Sequence, residues 1–539
     1  MGEQLHGGFG VSRALTALGV EQIFTLSGGH IFPIFDACHN DSIRIVDVRH
    51  EQTAGYAAEG WARLTRNLGV AAVTAGPGVT NVMSPLAQAG FNGAPLLVLA
   101  GRAPAFRWGK GSLQEIDHVP FVDPLAAART IMDPAQVAAG VIDAAADALG
   151  APRGPAFLDF PLDVIFSTAE VSVPALKVPA PPRPDAAAIE EVARLISGAA
   201  RPVLVAGSNV WLDRADAALR GLVENAEIPV FANGQGRGCV PADHRLAFAR
   251  SRSRALKEAD LVIVAGAPLD FRLGFGEGFA AGAHVVHLES HPSLLTDNVP
   301  LAAGIGAALD VTFDGLADAL TSPADTKEWV ELLRSEEEIR FAAAQAELAS
   351  PQTPIHPMRV YGELAKVLER DAIVIGDGGD FVSYAGREVA SYDGGSWLDP
   401  GPFGCLGCGP GYSIAARLAH PDRQVCLLLG DGALGFSGMD LETLVRLRLP
   451  VVVVVGNNGI WGLEKHPMNA LYGYSVAADL RPGIRYDQMM AAFGGKGELV
   501  TDPDALAGSL RRAFDSGEPY LVNVLTDPGV AYPRSANLA

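Results

Sequence analysis

Two apolar runs, Val425–Leu429 and Val451–Val455, each followed by a short polar word, set the narrowest limit on how this chain folds. The first runs into Gly430-Asp431-Gly432 and the second into Asn457-Asn458, with 24 residues (433–456) between the two words. A helix-like stretch, Ser437 to Val445, lies in that interval. Short all-apolar runs of this kind read as strands buried on both faces. Strand, loop, helix, strand is a βαβ unit, and parallel strands present their carboxyl ends on one edge of the sheet. The pattern therefore predicts that Asp431 and Asn458 face each other on that edge. A hard cation such as Mg²⁺ takes oxygen ligands and bridges a few of them to phosphate. Gly430 and Gly432 let the backbone come close to an anion.

These two words at this spacing resemble the signature of the thiamine-diphosphate (ThDP) enzymes. The resemblance implies Asp431 and Asn458 as Mg²⁺ ligands, with the backbone carbonyl of Ile460 as a third. It places Gly430, Gly432, Ala433, Asn458, Asp380 and Phe381 among the residues that bind the cofactor. A distant segment, Arg49 to Gly60, carries Glu51, which matches the family's activating glutamate. In the family that carboxyl binds N1′ of the pyrimidine and favours the imino tautomer that deprotonates thiazolium C2. Gly404-Cys405-Leu406-Gly407 resembles the family's Gly-Thr-Met-Gly. Leu406 is then expected beneath the bend of the cofactor, and the Gly404 carbonyl on its 4′-amino group. Gly76 and Asn81 are expected beside the pyrimidine, and Gly28 is a further cofactor-binding candidate.

The rest of the chain is consistent with a large α/β protein. It has 539 residues, 49% hydrophobic and 19% charged, long enough for about three domains. Apolar runs alternate with helical patterns throughout, which predicts parallel sheets. The expected domains are a pyrimidine-binding domain over 1–170, a central nucleotide-binding-like domain over 186–325 and a diphosphate-binding domain over 350–539. The proline-rich segment Val173–Pro184 reads as an extended linker. A net charge of −20 argues against nucleic acid or an anionic membrane as partner. No stretch of 18 or more apolar residues is present, so no membrane span is expected. Five scattered cysteines suggest reduced thiols and a cytoplasmic home. Cys405 and Cys408 form a CxxC that reads as packing rather than as a redox or zinc site. In the family the cofactor lies between subunits, which implies a homodimer at least, and a homotetramer beyond it.

The choice of reaction rests on further stretches. Gly435-Phe-Ser-Gly-Met439 followed by Asp440-x-Glu442-Thr443 resembles 2-hydroxyacyl-CoA lyases and oxalyl-CoA decarboxylases. Gly236–His244, Ala249–Asp260 and Gly266–Gly276 follow the same pattern, and the tail Arg534–Asn537 resembles a closing Arg-Ser-Asn. Ser27–Asp36 instead resembles the glycine turn of acetolactate synthases, and Gly459–Pro467 departs from the lyases. The expected function is a ThDP-dependent lyase that cleaves a 2-hydroxyacyl-CoA to formyl-CoA and an aldehyde or ketone. The alternatives are acetolactate-synthase-type condensation of 2-oxoacids and oxalyl-CoA decarboxylation. A non-catalytic binding protein on the same scaffold is disfavoured by the intact Glu51, Asp431 and Asn458.

Within the lyase reading, Glu464 is the expected base on a short helix ended by Pro467. Gln114 would hold a reacting oxygen, and His30 would bind an oxygen or relay protons. His118 and His466 are lesser candidates. In the central domain Gly207 and Ser208 could admit a phosphate, and Glu289 could accept from a ribose hydroxyl. Arg250, Arg252, Arg254 and Arg272 could meet phosphates, and Arg534 would close the site. ADP or CoA is expected there in preference to FAD, with acyl-CoA as substrate.

Overall fold

The computed structural model describes residues 4–320 and 325–533, so the predicted closing residue Arg534 and its neighbours to Asn537 lie outside the described residues. The chain divides into two compact units, both discontinuous in sequence. One comprises residues 1–180, 400–421 and 437–449, the other 181–399, 422–436 and 450–539.

In the first unit β1 (Gln4–His6) pairs antiparallel with β8 (Thr168–Glu170). A parallel sheet is formed by β2 (Gln22–Thr25), β3 (Arg44–Asp47), β4 (Gly69–Val73), β5 (Leu96–Arg102), β6 (Ala127–Thr130) and β7 (Pro155–Pro161). Its order is β3-β2-β4-β5-β7-β6. Strand β4 is buried along its whole length, which is why it reads as a continuous apolar run rather than as alternation, and β7 is equally buried but carries Asp159. The helix Glu51–Thr65 follows β3, and the helix Gly409–Ala419 packs against it. Their contact is close because Gly60 faces Tyr412, where an added Cβ would lie 2.8 Å from the ring. A buried polar network ties the pair together. Arg63 Nη1 and Gln88 Nε2 donate to the Tyr412 hydroxyl at 2.9 and 2.7 Å. Gln88 and Asn92 donate to the carboxylate of Glu59 at 3.0 and 2.7 Å.

The second unit holds two parallel sheets. The central one contains β9 (Pro202–Ala206), β10 (Val230–Ala232), β11 (Leu261–Ala265), β12 (His284–Glu289) and β13 (Ala303–Gly306), in the order β10-β9-β11-β12-β13. The other contains β14 (Ile373–Asp377), β15 (Trp397–Leu398), β16 (Val425–Gly430), β17 (Val452–Asn457), β18 (Lys496–Val500) and β19 (Tyr520–Leu525). Its order, β15-β14-β16-β17-β19-β18, repeats that of the first unit's sheet strand for strand. The fold is α/β throughout, with every pairing in these three sheets parallel, as the alternating runs predicted. Among the described residues no helix is long and apolar enough to cross a membrane. None of the five cysteines forms a disulfide, and all but Cys405 are buried.

Two local expectations change. The stretch between the polar words is a helix Asp431–Ser437, a 3₁₀ turn Gly438–Asp440 and a helix Leu441–Arg446, rather than one helix from Ser437. The first helix starts at the aspartate itself, where an acidic side chain suits the positive end of the helix dipole. Pro467 does not end its helix, which runs from Gly462 to Tyr472 with the proline inside. Its missing N–H removes one hydrogen bond near an exposed surface, which the remaining turns tolerate here.

Candidate active site

The second unit builds an acidic turn at the carboxyl end of β16. Asp431 is 3% exposed. Its two carboxylate oxygens accept backbone N–H groups, Gly432 at 3.2 Å and Gly459 at 2.9 Å. Burial pushes its pKa up to about 6 despite those donors, and no cationic side chain among the described residues is paired with it. Beyond β17 the Asn458 Oδ1 accepts the N–H of Ile460 at 3.2 Å, closing a tight local turn. Asp431 and the Asn458–Ile460 turn are thus joined through Gly459. A buried carboxylate without a cationic partner, one amide oxygen and a nearby backbone carbonyl suit Mg²⁺, which keeps most of its shell for water and phosphate. Among the described residues no group of three or more His, Cys, Asp and Glu side chains offers a metal site of another kind.

The neighbouring residues divide into openings and packing. Gly430 has open space where a Cβ would project, whereas Gly432 lies against the Trp461 ring. Ala433 is buried. Asp380 lies in the first turn of the helix Gly379–Glu388 and accepts the N–H of Tyr532 at 2.9 Å. Phe381 is a core residue whose ring lies beneath Gly456 and beside Tyr361. Its side chain is spent on packing, so only its backbone in the first helical turn can face a ligand. Glu464 is exposed in the first turn of its helix. Its neighbour Lys465 pairs with Asp479.

The first unit gathers a different set. Glu51, 7% exposed, opens its helix and accepts from Asn81 Nδ2 at 3.0 Å. Asp440 accepts from Arg49 N (2.8 Å), Thr53 Oγ1 (2.6 Å) and Thr443 Oγ1 (2.9 Å), so it grips the turn on both sides of Glu51. Asn81 closes a short helix, Pro77–Asn81, whose N-cap is Gly76 at φ +60° and ψ −109°. That backbone conformation is one only glycine adopts freely. Gln114, itself at φ +58°, lies against it, and a Cβ on Gly76 would stand 2.9 Å from that of Gln114. His30 is buried with Nδ1 3.2 Å from the Thr74 hydroxyl. Burial lowers its pKa, and His118 nearby adds to the effect. Gly28 sits against Thr74. The loop holding Gly404 and Leu406 belongs to this unit too, with Gly404 exposed at φ +74° and Leu406 half-buried. Cys405 N donates to Gln88 there.

Sequence reasoning undervalued two residues of this set. Asp440 entered only as part of a motif, and His118 only as a minor candidate. His118 is fully buried, accepts the N–H of Gly76 at Nε2 (3.0 Å) and meets Asp159 Oδ2 through Nδ1 (2.8 Å). No local signal marks it, because its partners lie about 40 residues away on either side.

The central-domain candidates are mostly committed to protein partners. Arg254 pairs with Glu258 and Glu336, Arg272 with Asp270, and Arg250 with Glu388. Glu289 accepts from Asn209 at 2.9 Å. Gly207 packs against the Gly266–Ala267 backbone, and Ser208 Oγ accepts from Gln235 N. Arg252 differs. One terminal nitrogen donates to Asn233 Oδ1 at 2.7 Å, and the other is buried without a partner. Burial, with Arg237 and Arg272 nearby, pushes its pKa down to about 10. It lines a cavity of 640 Å³ together with Arg237, Arg334, Arg387 and Tyr532.

The chain matches three family models in succession, described as thiamine pyrophosphate enzyme N-terminal TPP binding domain (5–121), central domain (189–316) and C-terminal TPP binding domain (377–524). It is similar to the acetolactate synthase large subunit IlvG of Mycobacterium tuberculosis, 54% identical over 541 residues that cover 100% of this chain and 98% of the relative. A probable acetolactate synthase of Mycobacterium bovis matches to the same extent. The 2-hydroxyacyl-CoA lyase 2 of Caenorhabditis elegans is 36% identical over 580 residues, covering 96% of this chain and 89% of the relative.

These matches overturn the expected cleavage of a 2-hydroxyacyl-CoA, since the acetolactate synthases are far more similar to the chain than the lyase. The structure explains why the motifs misled. Asp440 and Thr443 of the supposed lyase signature are a buried clamp on the Glu51 turn. Gly238 packs so tightly that a Cβ would stand 2.0 Å from the Asp393 carbonyl, and Arg254 and Arg272 are tied to carboxylates. Such residues hold the scaffold, which relatives of different specificity share.

Proposed function

This chain belongs to the thiamine pyrophosphate enzyme family, and we propose that it is an acetolactate-synthase-type carboligase that joins two 2-oxoacids with loss of CO₂. The observation that carries this reading is 54% identity, over the whole chain, to a protein bearing that name. Bound ThDP supplies an acidic C–H at thiazolium C2 and an electron sink.

The chain's own residues are assigned around that chemistry. Asp431, Asn458 and the Ile460 carbonyl would hold Mg²⁺. Gly430 leaves room for a diphosphate, and the first turns at Asp380 and Ala433 offer N–H groups to it. Glu51 would bind and polarise the aminopyrimidine, with Asn81 fixing its carboxylate. Gly404 and Leu406 would seat the ring system. Gln114 and His30 are assigned to orienting substrate oxygens, with His30 neutral at neutral pH because burial lowers its pKa. Glu464, exposed on the helix after the Asn458 turn, is assigned to choosing the second 2-oxoacid rather than to proton abstraction. In the central domain the unpartnered nitrogen of Arg252 supports a phosphate-bearing nucleotide, ADP or a flavin. Self-association into a homodimer or homotetramer is part of the proposal. It is supported by Phe91 and Phe403, which stack on each other yet remain 60% and 44% exposed. Five cysteines, none in a disulfide, support a cytoplasmic setting.

The test is direct. The purified protein, supplied with Mg²⁺, ThDP and pyruvate or 2-oxobutyrate, is expected to release CO₂ and form a 2-hydroxy-3-oxoacid. Absence of that product from a preparation that exchanges ThDP C2–H would sink the assignment. The absorption spectrum of the same preparation separates flavin from ADP.

A further inference from the structure

We infer that His118 is a positioning residue for cofactor activation: oriented by Asp159, it accepts the Gly76 N–H and thereby fixes the short helix that presents Asn81 to Glu51. The inference rests on the proposed role of Glu51 and adds a residue to it.

Gly76 N lies 3.0 Å from His118 Nε2. A backbone N–H can only donate, so Nε2 must be the unprotonated nitrogen and the ring proton sits on Nδ1. Nδ1 in turn meets Asp159 Oδ2 at 2.8 Å, where a carboxylate holds that tautomer. Asp159 is fully buried, takes a second donor from Arg102 at 3.1 Å, and leaves its other oxygen buried without a partner. A core built only for stability gains little from such a group. What the arrangement secures is an aimed imidazole.

Gly76 is a sensitive place to anchor. It is the N-cap of the helix Pro77–Asn81, and its carbonyl accepts the N–H groups of Val79 and Thr80 at 3.0 and 3.1 Å. Its orientation therefore sets the direction of that helix. The last residue, Asn81, donates to Glu51 Oε2 at 3.0 Å. The segment that carries His118 also carries Gln114, which lies against Gly76 on its other contact. One loop thus grips the glycine twice, by a hydrogen bond and by packing.

The repeated strand order gives a second line of support. The loop after β5 carries Gln114 and His118, and the loop after β17 occupies the same place in the other sheet. There Gly459 N–H donates to Asp431 Oδ2, so a second loop again anchors the turn that follows the neighbouring strand. In both links a backbone N–H donates to a side chain, and only the loop that supplies each partner is exchanged.

The test compares His118→Leu, which removes the acceptor, with His118→Gln, which offers Oε1 near the place of Nε2. Three quantities are read: amide hydrogen exchange of residues 74–81 in the cofactor-free protein, the thermal midpoint, and ThDP C2–H exchange in the Mg²⁺–ThDP holoenzyme. The leucine variant is expected to lose protection at Gly76 and to slow C2–H exchange by about ten- to a hundredfold, as befits an orphaned buried donor. The glutamine variant is expected to keep protection and stay within about threefold of the parent protein. Equal slowing by both variants, or an unaltered rate in the leucine variant, overturns the inference. Should the leucine variant fail to fold, Asp159→Asn decides, since an unchanged rate there overturns it equally. Parent protein that exchanges C2–H but makes no acetolactate removes only the substrate assignment, whereas parent protein without exchange removes both.

Discussion

The sheet of the first unit and the last sheet of the second unit have the same strand order, yet they hold the carboxylates of Glu51 and Asp431 by opposite means. Asp431 is fixed by two backbone N–H groups from adjoining turns. Glu51 is fixed by a side-chain amide, and that amide depends on a relay from the Gly76 backbone through the His118 ring to Asp159. One backbone donor comes with the Asp431 turn itself and the other with the loop after the adjacent strand, so the acidic half needs only two neighbouring strand ends with glycines and an aspartate in the right order. Side-chain donors must be brought from separate strands, so the glutamate half needs the whole sheet. One consequence is that substitutions around Asp431 act locally, while substitutions that weaken Glu51 can lie far from it in sequence.

The largest effect should come from Glu51→Gln. It keeps shape and removes the basic group, and is expected to slow ThDP C2–H exchange by about 10²–10⁴-fold while Mg²⁺–ThDP still binds. A rate within tenfold of the parent protein would erase the functional contrast between the halves. Asp431→Asn should rank next, lowering Mg²⁺-dependent ThDP affinity by at least about ten- to a hundredfold as followed by fluorescence titration. Unchanged Mg²⁺ dependence would move the metal away from this turn.

Asp440→Ala sharpens the comparison at smaller scale. It orphans donors on both sides of Glu51, and a loss of about 1–3 kcal/mol in unfolding free energy is expected from denaturant titration. If the same variant loses stability without any change in C2–H exchange, the clamp supports the fold and not the glutamate. The smallest effect concerns acid. His30 has its pKa lowered below 6.5 chiefly by burial. As pH falls through 6.5 the unfolded chain takes the proton first, so the folded state loses stability until the lowered pKa is passed. His30→Gln should therefore show a shallower decline of the thermal midpoint between neutral and mildly acidic pH, and an unaltered slope would contradict the burial argument.

Much of the acidic half was legible because its demands are local. The runs at β16 and β17 are buried on both faces, and the words that end them must be small, acidic or amide. Glu51 was legible only through its resemblance to a known segment, since an exposed glutamate opening an alanine-rich helix would read the same way. Its partner Asn81 was named, but not the link between them. Asp440 was read as a mark of specificity when it is a buried clamp, because a motif shows that residues recur and not what they touch. Arg254 and Arg272 show the converse error, cations that suggest phosphate until their carboxylate partners appear in space. Pro467, read as a stop, sits inside its helix because one missing bond near the surface is a small loss.

By itself the sequence determined the α/β architecture, the parallel sheets and the two words at the end of adjacent strands. Those follow from the periodicity of apolar side chains and from backbone conformations that few residues permit. Only the tertiary structure decided which carboxylates are clamped, which arginines are already neutralised, and that His118 reaches Gly76. These depend on contacts across tens of residues, where the energy lies in pairing buried polar groups and the chain between them carries no record of the pairing.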